Sequence, residues 1–334
     1  MPATFAHCML CQESIGLLLR DERVRKSPAL RELAGLVAQR TEFAITGAAG
    51  PDYPYLNDLL TTGVLHVGHT WADRMHYENV DLFIEEAVKR LIAMDKESEA
   101  LKVCLPWTLG CLSHVIADVF LHPVVNAIVG GTYHFTSAAH AYCELVQDLY
   151  IFHHKTGVEI IDANPKSGKF AYLSILDASS DPDNEDRLHP AISTFWRETL
   201  IAAHPQATEY FNDIAPDIWH RKYKARVDFA VNPWPVARHI MQAADRAYGR
   251  LSKIPKKDME RFVEAITLPD ETTGKYSDQF EKAVNQIVAL WITTLRSVAE
   301  KRPVIIQEEL KAWNLDTGVD ESKSHFWAEI RRTI

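Results

Sequence analysis

The chain has 334 residues, of which 47% are hydrophobic and 24% charged, and its formal net charge at pH 7 is −9. This composition is typical of a globular protein with a sizeable core, and it excludes a disordered chain, a collagen-like repeat and a small disulfide scaffold. The negative charge provides no overall positive field, so we expect neither nucleic acid nor an anionic surface to be attracted by charge alone. At roughly 150 residues per domain, the length predicts two modest domains or one large one.

The spacing of the apolar residues predicts an all-α protein. These residues recur at positions that fall on one face of a helix, and alternating strand patterns bounded by tight turns are nearly absent. One short stretch, residues 171–177, is a candidate strand. The predicted helices cover residues 5–20, 28–39, 79–94, 99–128, 137–152, 190–202, 206–212, 235–252, 257–266, 277–300 and 303–313.

Two stretches interrupt the helical pattern. Residues 44–68 are rich in Gly, Pro, Asp and Thr, which predicts a long loop, and long loops in compact domains often carry function. Residues 164–190 contain an acidic run at 181–186 and predict a domain boundary or an exposed insertion. We therefore divide the chain into a helical core at 1–165 and a helical C-terminal region at 166–334, which either stands apart or packs with the core as one domain.

The cysteines and the first residues predict a cytoplasmic protein. Five cysteines, an odd number, lie among apolar residues, which favours reduced and buried thiols. The N-terminal residues lack the basic start and the apolar run of a secretory signal peptide. The stretch 103–120 is apolar enough to resemble a membrane span, but it contains His114 and Asp118. Because ionisable groups are costly within a span, we interpret this stretch as a buried core helix.

Within that helix, three ionisable side chains follow one another at helical spacing. His114, Asp118 and His122 are four residues apart, so they lie along one face of the helix. Their neighbours are almost all apolar, which points this face towards the interior. Burial of such groups without partners is costly, and coordination of a metal ion satisfies all three at once.

The next predicted helix repeats this arrangement with His140 and Glu144. A single buried histidine is usually a hydrogen-bonded core residue, but five such groups on two adjacent helices are typical of polynuclear metal sites. Imidazole and carboxylate ligands without thiolate favour zinc, with manganese or iron as alternatives. Five groups exceed the needs of one ion, so we expect more than one metal, with Asp118 in the middle as the bridging carboxylate.

These motifs resemble those of the zinc-dependent phospholipase C family and of the related S1/P1-type nucleases. The HxxxD motif that begins at His114, the His122-Pro123 pair and the HxxxE motif that begins at His140 carry the resemblance. Residues 5–7, 50–55 and 71–77 are similar to the earlier segments of the family's ligand series, and the similarity extends over about residues 5–150. The resemblance implies a multi-helical phospholipase C or P1 nuclease-like core with additional C-terminal helices.

The resemblance also implies a ligand set and a catalytic residue. One zinc ion is expected on Asp52, His76, His114 and Asp118, a second on His122, His140 and Glu144, and a third on His7 with Asp118 as the bridge. Asp52 is in addition expected to orient or deprotonate the attacking water. For the first zinc, His66 and His69 are alternatives to His76, which the Met-His-Tyr context favours.

The chain departs from the family at two of these positions. The third site of the family also uses the free amine and the carbonyl group of an N-terminal tryptophan, which this sequence lacks. His122 follows Asp118 by four residues, whereas the family spacing is six. Both two and three zinc ions therefore remain open, and two ions with a weak third position are the preferred interpretation.

The function implied is hydrolysis of a small-molecule or phospholipid phosphodiester by metal-activated water, as in a phospholipase C. One alternative is a nuclease for single strands or a phosphatase on the same scaffold, for which the basic run at 220–226 is the candidate contact. Another is a zinc-stabilised helical module that has lost catalysis and binds a partner through its C-terminal half.

Overall fold

A computed structural model of the chain describes residues 4–55, 69–163, 172–231, 249–303 and 310–327. Helices account for most of these residues, and the all-α fold class is confirmed. We number the helices of the described residues in chain order: α1 (Thr4–Arg20), α2 (Glu22–Lys26), α3 (Pro28–Gln39), α4 (Thr41–Ala49), α5 (His69–Tyr77), α6 (Val80–Ala93), α7 (Glu99–Val129), α8 (Tyr133–Thr156), α9 (Tyr172–Ala178), α10 (Pro190–Ala203), α11 (Pro216–Val231), α12 (Lys256–Met259) and α13 (Tyr276–Glu300).

The remaining regular structure is short. A π-helical turn at Glu260–Glu264 continues α12, and two antiparallel pairs of strands are formed by β1 (Ser180–Asp181) with β2 (Asn184–Leu188) and by β3 (Ile266–Thr267) with β4 (Thr273–Gly274). In the first pair, the register shifts between Ser180 and Asp181. Helical turns of the 3-10 type occupy Gly50–Asp52, Ile160–Asp162, Thr208–Asp213 and Leu251–Lys253.

Several sequence predictions were wrong. The candidate strand at 171–177 is helix α9 from Tyr172 onwards, because Tyr172, Leu173 and Leu176 bury one helical face. The predicted helix at 206–212 is the 3-10 turn Thr208–Asp213, and that at 257–266 breaks into α12, the π-helical turn and β3. Residues 235–248 and 304–309 of two further predicted helices lie outside the described residues. The described parts, 249–252, 303 and 310–313, hold a 3-10 turn and no α-helix.

The centre of the fold is α7, whose residues are buried along most of its length. Ser98 caps its first turn through a hydrogen bond from the amide of Leu101 (3.1 Å), and Gly130 ends it in the left-handed conformation (φ 84°). Among the described residues, α7 is the one helix long and apolar enough to cross a membrane, and most of its apolar stretch is buried inside the protein. This burial agrees with a core helix.

A close crossing places α4 directly on α7. A Cβ atom added to Gly47 would lie 2.1 Å from the carbonyl oxygen of Trp107, and one added to Gly110 would lie 2.0 Å from that of Ala44. Only glycine therefore allows the two backbones to approach this closely. The prediction of a loop from residue 44 was wrong for 44–49, because small residues serve here for helix packing and not for a turn.

The C-terminal part of the chain shares this core. Helix α13 packs against α1 and α7, and the indole of Trp291 donates a hydrogen bond to the carbonyl oxygen of Leu109 (2.7 Å). Apolar residues from the N-terminal helices through to Phe326 form one contiguous buried cluster. The domain boundary predicted at 165 falls outside the described residues and stays a prediction.

Candidate metal centre

The eight predicted ligands come together around the middle of α7. His114, Asp118 and His122 line one face of this helix, and His140 and Glu144 face them from α8. The other three come from α1, from the 3-10 turn after α4 and from α5. The side chains form three groups in which the ligand atoms lie within 4.8 Å of one another. We name them the Asp52 group (Asp52, His76, His114), the His122 group (His122, His140, Glu144) and the His7 group (His7, His114, Asp118).

Asp118 stands at the junction of these groups, and four imidazoles face its carboxylate. Its Oδ2 atom lies 3.1 Å from Nε2 of His114 and 3.7 Å from Nε2 of His76. Its Oδ1 atom lies 3.2 Å from Nε2 of His7 and 3.5 Å from Nε2 of His122. Each oxygen therefore faces a different side of the cluster, which is the geometry of a bridging carboxylate.

The Asp52 group combines residues that are far apart in the chain. Nε2 of His76 lies 3.4 Å from Oδ1 of Asp52 and 3.2 Å from Nε2 of His114. The ring of Tyr55, three residues after Asp52, packs on His76 at a centroid distance of 5.1 Å. The alternative ligand His66 lies outside the described residues, as does the side chain of His69. Of the three candidates, His76 is the one seen in the cluster.

The His122 group lies between α7 and α8. Oε1 of Glu144 is 3.4 Å from Nε2 of His122 and 3.2 Å from Nε2 of His140. The ring of Tyr133 stands edge-on to His140 at 5.2 Å. The spacing of four residues between Asp118 and His122 thus brings the His122 ring to both carboxylates.

The His7 group occupies the third side. The ring of His7 stacks on that of His114 at a centroid distance of 4.2 Å. Buried Asp148 of α8 accepts hydrogen bonds from the backbone amides of Phe5 (3.3 Å) and Ala6 (2.7 Å), and so fixes the first turn of α1 beside the cluster. Residues 1–3 lie outside the described residues, so the preference for a weak third position stays a prediction.

Backbone carbonyl groups set the tautomer of three imidazoles. Nδ1 of His76 donates to the carbonyl oxygen of Ala72 (2.7 Å), Nδ1 of His114 to that of Ala48 (2.8 Å) and Nδ1 of His122 to that of Leu315 (3.1 Å). Because a carbonyl oxygen only accepts, each of these Nδ1 atoms carries a proton, which leaves Nε2 with a lone pair in the neutral ring.

The position of these lone pairs shows whether the residues fit a metal ion. The Nε2 atoms of His76 and His114 are 3.2 Å apart, and two lone pairs at that distance repel unless a positive charge lies beside them. Zinc–nitrogen bonds of about 2.1 Å in a tetrahedron place ligand atoms about 3.4 Å apart. The ligand-atom separations of 3.1–3.7 Å match that value, so the donor set fits zinc.

Without a metal, protons provide the positive charge. Burial alone would lower the pKa of His114 and His122, but the neighbouring Asp118 carboxylate outweighs it and raises these pKa values to about 9 and about 10. Burial would likewise raise the pKa of Glu144, but hydrogen bonds from His122 and His140 lower it to about 2. The pKa of Asp118 is held well below its usual range, because the charges of His114, His122 and His7 outweigh its burial.

The side chains of the cluster differ in their exposure to solvent. The side chain of Asp52 is 17% exposed and that of His122 is 20% exposed, whereas His114 is fully buried. Tyr77 and Tyr133 are partly exposed, and burial raises the pKa of both, with further contributions from carboxylates of the cluster and from Asp316. We take these partly exposed residues, with Asp52 and His122, as the mouth of the site.

Several residues of this site were not among the predicted ones. Tyr55, Tyr77 and Tyr133 lie against the ligands, and Asp316 brings a fourth carboxylate from the C-terminal end of the described chain. The carbonyl groups that orient the imidazoles belong to unremarkable residues. The Trp71–Tyr77 and Tyr53–Tyr55 contexts were the available signals for two of the tyrosines, while nothing in the local sequence marks Leu315 or Asp316.

Comparison with protein families agrees with the geometry. Residues 24–205, more than half of the chain, match the family described as zinc dependent phospholipase C. This match includes every predicted ligand except His7. No curated protein and no solved structure matched the chain. The chain belongs to the zinc-dependent phospholipase C family.

Proposed function

We propose that this protein is a zinc-dependent phosphodiester hydrolase of phospholipase C type. Water attacks the phosphorus atom, the bond from phosphorus to the glycerol-side oxygen breaks, and the products are an alcohol and a phosphomonoester. The observation that carries the proposal is the convergence of five imidazoles and three carboxylates on one cluster in a member of this family.

We further propose two principal zinc ions. The Asp52 group with Asp118 holds one, and the His122 group holds the other. His114 belongs to both the Asp52 group and the His7 group, but its Nδ1 is committed to Ala48, so its single free nitrogen serves one ion. His7 and Asp118 then form a weaker third position. When bound, zinc lowers the pKa of a coordinated water towards about 7 and stabilises negative charge on a phosphate ester.

Asp52 is the proposed general base. Its burial favours the neutral form, but in the metal-free protein the neighbouring His114 and His76 outweigh this effect and lower the pKa of the carboxyl group, so Asp52 is ionised at neutral pH. A zinc cation on these imidazoles would favour the ionised carboxylate in the same way. It is also more exposed than Asp118 and Glu144, whose side chains are 3% and 9% exposed. An ionised carboxylate at the mouth can orient a water molecule and accept its proton.

The cysteines are poor candidates for an alternative, covalent mechanism. Burial raises the pKa of Cys11 and of Cys104 to about 12, and all five cysteines are buried and free. A thiol with such a pKa supplies almost no thiolate at neutral pH. Attack by water therefore remains the mechanism that the site supports best.

A lipid substrate is favoured by the first turn of α8. Phe135 is 83% exposed, and Tyr133, which packs on His140 and is 47% exposed, lies two residues before it. Thr136, whose backbone is not helical (φ −129°, ψ 26°), separates this turn from the rest of α8. An exposed aromatic side chain beside the mouth is suited to the interface of a bilayer, where aromatic rings bind favourably.

A nuclease is less well supported. In the basic run 220–226, His220 is fully buried and lies 2.9 Å from Ser180, and the ammonium of Lys224 lies 2.7 Å from Asp177. Two of the five basic groups of the run are therefore engaged inside the fold. A track for a polynucleotide backbone needs cations that are free to meet phosphates.

The test is a substrate panel with zinc-loaded protein: bis-p-nitrophenyl phosphate, short-chain phosphatidylcholine, phosphatidylcholine vesicles and single-stranded DNA. We expect hydrolysis of the phospholipids and of the synthetic diester, and a loss of about 100-fold or more in Asp52→Asn, which keeps the shape of the side chain but removes the carboxylate that serves as base and as zinc ligand. Preferential cleavage of DNA would favour the nuclease. Absence of any turnover with two zinc ions bound would favour a binding module.

A further inference from the structure

We infer that the C-terminal segment, residues 310–327, is a positioning element of the metal centre. This inference rests on the proposed zinc site, and it concerns a part of the chain outside the residues that match the family. The segment orients the imidazole of His122 for metal binding and connects the His122 group to the helix that carries His76.

The contact that carries the inference is made by the backbone of Leu315. Its carbonyl oxygen accepts the Nδ1 proton of His122 (3.1 Å), and its amide donates to the carbonyl oxygen of His76 (2.9 Å). One residue thus links the two principal ligand groups. Metal-binding histidines usually donate their second nitrogen to such a partner, which holds the ring in place and sets the tautomer.

The segment reaches His122 through a close approach at Gly318. Pro123 has no amide proton, so the carbonyl group of Val119 lacks its usual partner four residues later in α7. Gly318 lies against that point: an added Cβ would be 2.8 Å from the oxygen of Val119 and 2.9 Å from Cγ of Pro123. Gly318 also has φ of 64°, so a side chain is disfavoured there both by these short contacts and by the backbone conformation.

Further contacts keep the segment on α7. Asn126 donates a side-chain hydrogen bond to the carbonyl oxygen of Asp316 (2.6 Å), and the indole of Trp327 donates to that of Phe120 (2.8 Å). The amide of Phe326 bonds to the carbonyl oxygen of Gly318 (2.9 Å), which folds the segment back on itself. Leu310, Trp313 and Leu315 are buried. The segment is therefore anchored on both sides of Leu315, and this fixes the position of the carbonyl group.

A substitution at Gly318 tests the inference, and Gly157 provides the matched control. Gly318→Ala pushes the segment away from α7. Gly157→Ala brings the same backbone cost, because Gly157 has φ of 72°, but a Cβ there meets no atom within 4 Å, and the residue follows the C-terminal end of α8, away from His140. Zinc affinity is measured for each variant by competition with a chelator, and the Co²⁺-substituted proteins are compared by their visible spectra.

We expect Gly318→Ala to bind one of the two ions about 10–100-fold more weakly and to lose one component of the Co²⁺ spectrum. Gly157→Ala is expected to match the wild type in both measurements. If Gly318→Ala fails to fold, Trp327→Phe keeps the aromatic packing, removes only the hydrogen bond to Phe120, and should produce the same change to a smaller degree. NMR of the histidine side chains adds a direct readout, since the Nδ1 proton of His122 should exchange faster once Leu315 moves.

The results of these measurements distinguish the positioning role of the C-terminal segment from the proposed function. Equal zinc affinities and spectra in Gly318→Ala and Gly157→Ala would overturn the positioning role and leave the proposed function standing. Selective loss of one ion in a protein that hydrolyses no phosphodiester would support the positioning role and overturn the proposed function. A wild-type protein that binds no zinc would overturn both.

Discussion

The Asp52 group and the His122 group contain the same two kinds of donor, yet different parts of the chain hold them. His76 and His114 donate to carbonyl groups of α5 and α4, which lie within the N-terminal core, whereas His122 donates to Leu315, almost two hundred residues away. His114 is fully buried and His122 is 20% exposed. We conclude that the Asp52 group is fixed by helix packing, and that the His122 group depends on a separate segment that rests on α7.

Asp118 links the groups, so its removal should have the largest effect. In Asp118→Ala, both principal ions lose a ligand or a neighbouring counter-charge, and the imidazoles face one another without compensation. We expect loss of more than one zinc ion and a melting temperature below that of any other single ligand variant, because metal binding is coupled to folding. Zinc stoichiometry by elemental analysis is compared with that of His122→Ala. Loss of one ion in each variant would contradict the bridging role.

The packing that holds the Asp52 group in place can be disturbed where α4 crosses α7. Gly110→Ala places a Cβ 2.0 Å from the carbonyl oxygen of Ala44, so α4 must move away from α7 and carry the carbonyl group of Ala48 away from His114. We expect a destabilisation of about 1–3 kcal/mol or more and weaker zinc binding at the Asp52 group, with the His122 group less affected. The control is Gly35→Ala in α3, where the added Cβ meets nothing within 4 Å. Chemical denaturation and zinc competition are the measurements, and equal behaviour of the two variants would refute this account.

The pH dependence sharpens the comparison between metal-free and zinc-loaded protein. The pKa of His114 and that of His122 are raised to about 9 and about 10 without metal, so zinc binding at pH 7 must release their protons. We expect about two protons from these rings, measured by calorimetry in buffers of different ionisation enthalpy. Binding without proton release would contradict the protonated cluster.

In the metal-free protein, the two histidines and Glu144 change the stability of the fold with pH in opposite directions. Because the folded-state pKa of each of these histidines is raised, their contribution is fully present below about pH 6.5 and is lost as the pH rises through about 9–10. The pKa of Glu144 is lowered to about 2, so its contribution is present above about pH 4.5 and is lost as the pH falls through 2. Melting curves from pH 2 to 10 with a chelator present test the loss of stability at high pH and the loss at low pH.

The smallest effect is expected at the aromatic turn of α8, outside both ligand groups. Phe135→Ser removes an exposed ring and leaves the cluster intact, so zinc content, stability and hydrolysis of a soluble diester should not change. Hydrolysis of phosphatidylcholine vesicles should fall several-fold, since a buried aromatic ring contributes to binding at the interface. The matched control is Leu82→Ser, a substitution of another exposed apolar residue, which lies on α6. An equal loss in both variants would remove the special role of this turn.

Whether a residue of the site could be predicted from the sequence depended on its distance along the chain from the other residues of the site. The pairs on α7 and α8 were predictable because a spacing of four residues places side chains on one face of any helix. His7, Asp52 and His76 followed only from the resemblance to a family, since no periodic pattern connects an N-terminal helix, a turn and a short helix. Leu315 was not predictable by either route, because any residue type supplies a backbone carbonyl group.

The limits of the fold prediction have a related cause. Helices α1, α3, α7 and α13 were foreseen with bounds close to those observed, because their apolar residues repeat over several turns. Helix α4 was mistaken for a loop, since its glycines indicate a turn when they are read locally and a close helix crossing when α7 is present. Helix α9 was mistaken for a strand, because seven residues are too few to distinguish the two periods.

Local sequence thus determined which face of α7 and α8 carries imidazoles and carboxylates, because helical geometry acts over three to eight residues. Tertiary packing decided which oxygen of Asp118 faces which imidazole, and which nitrogen of His76, His114 and His122 remains free for a metal. These features depend on carbonyl groups brought in by α4, α5 and the C-terminal segment. A hydrogen bond to a backbone atom has no counterpart in the pattern of side chains, so it becomes visible only when the helices are packed together.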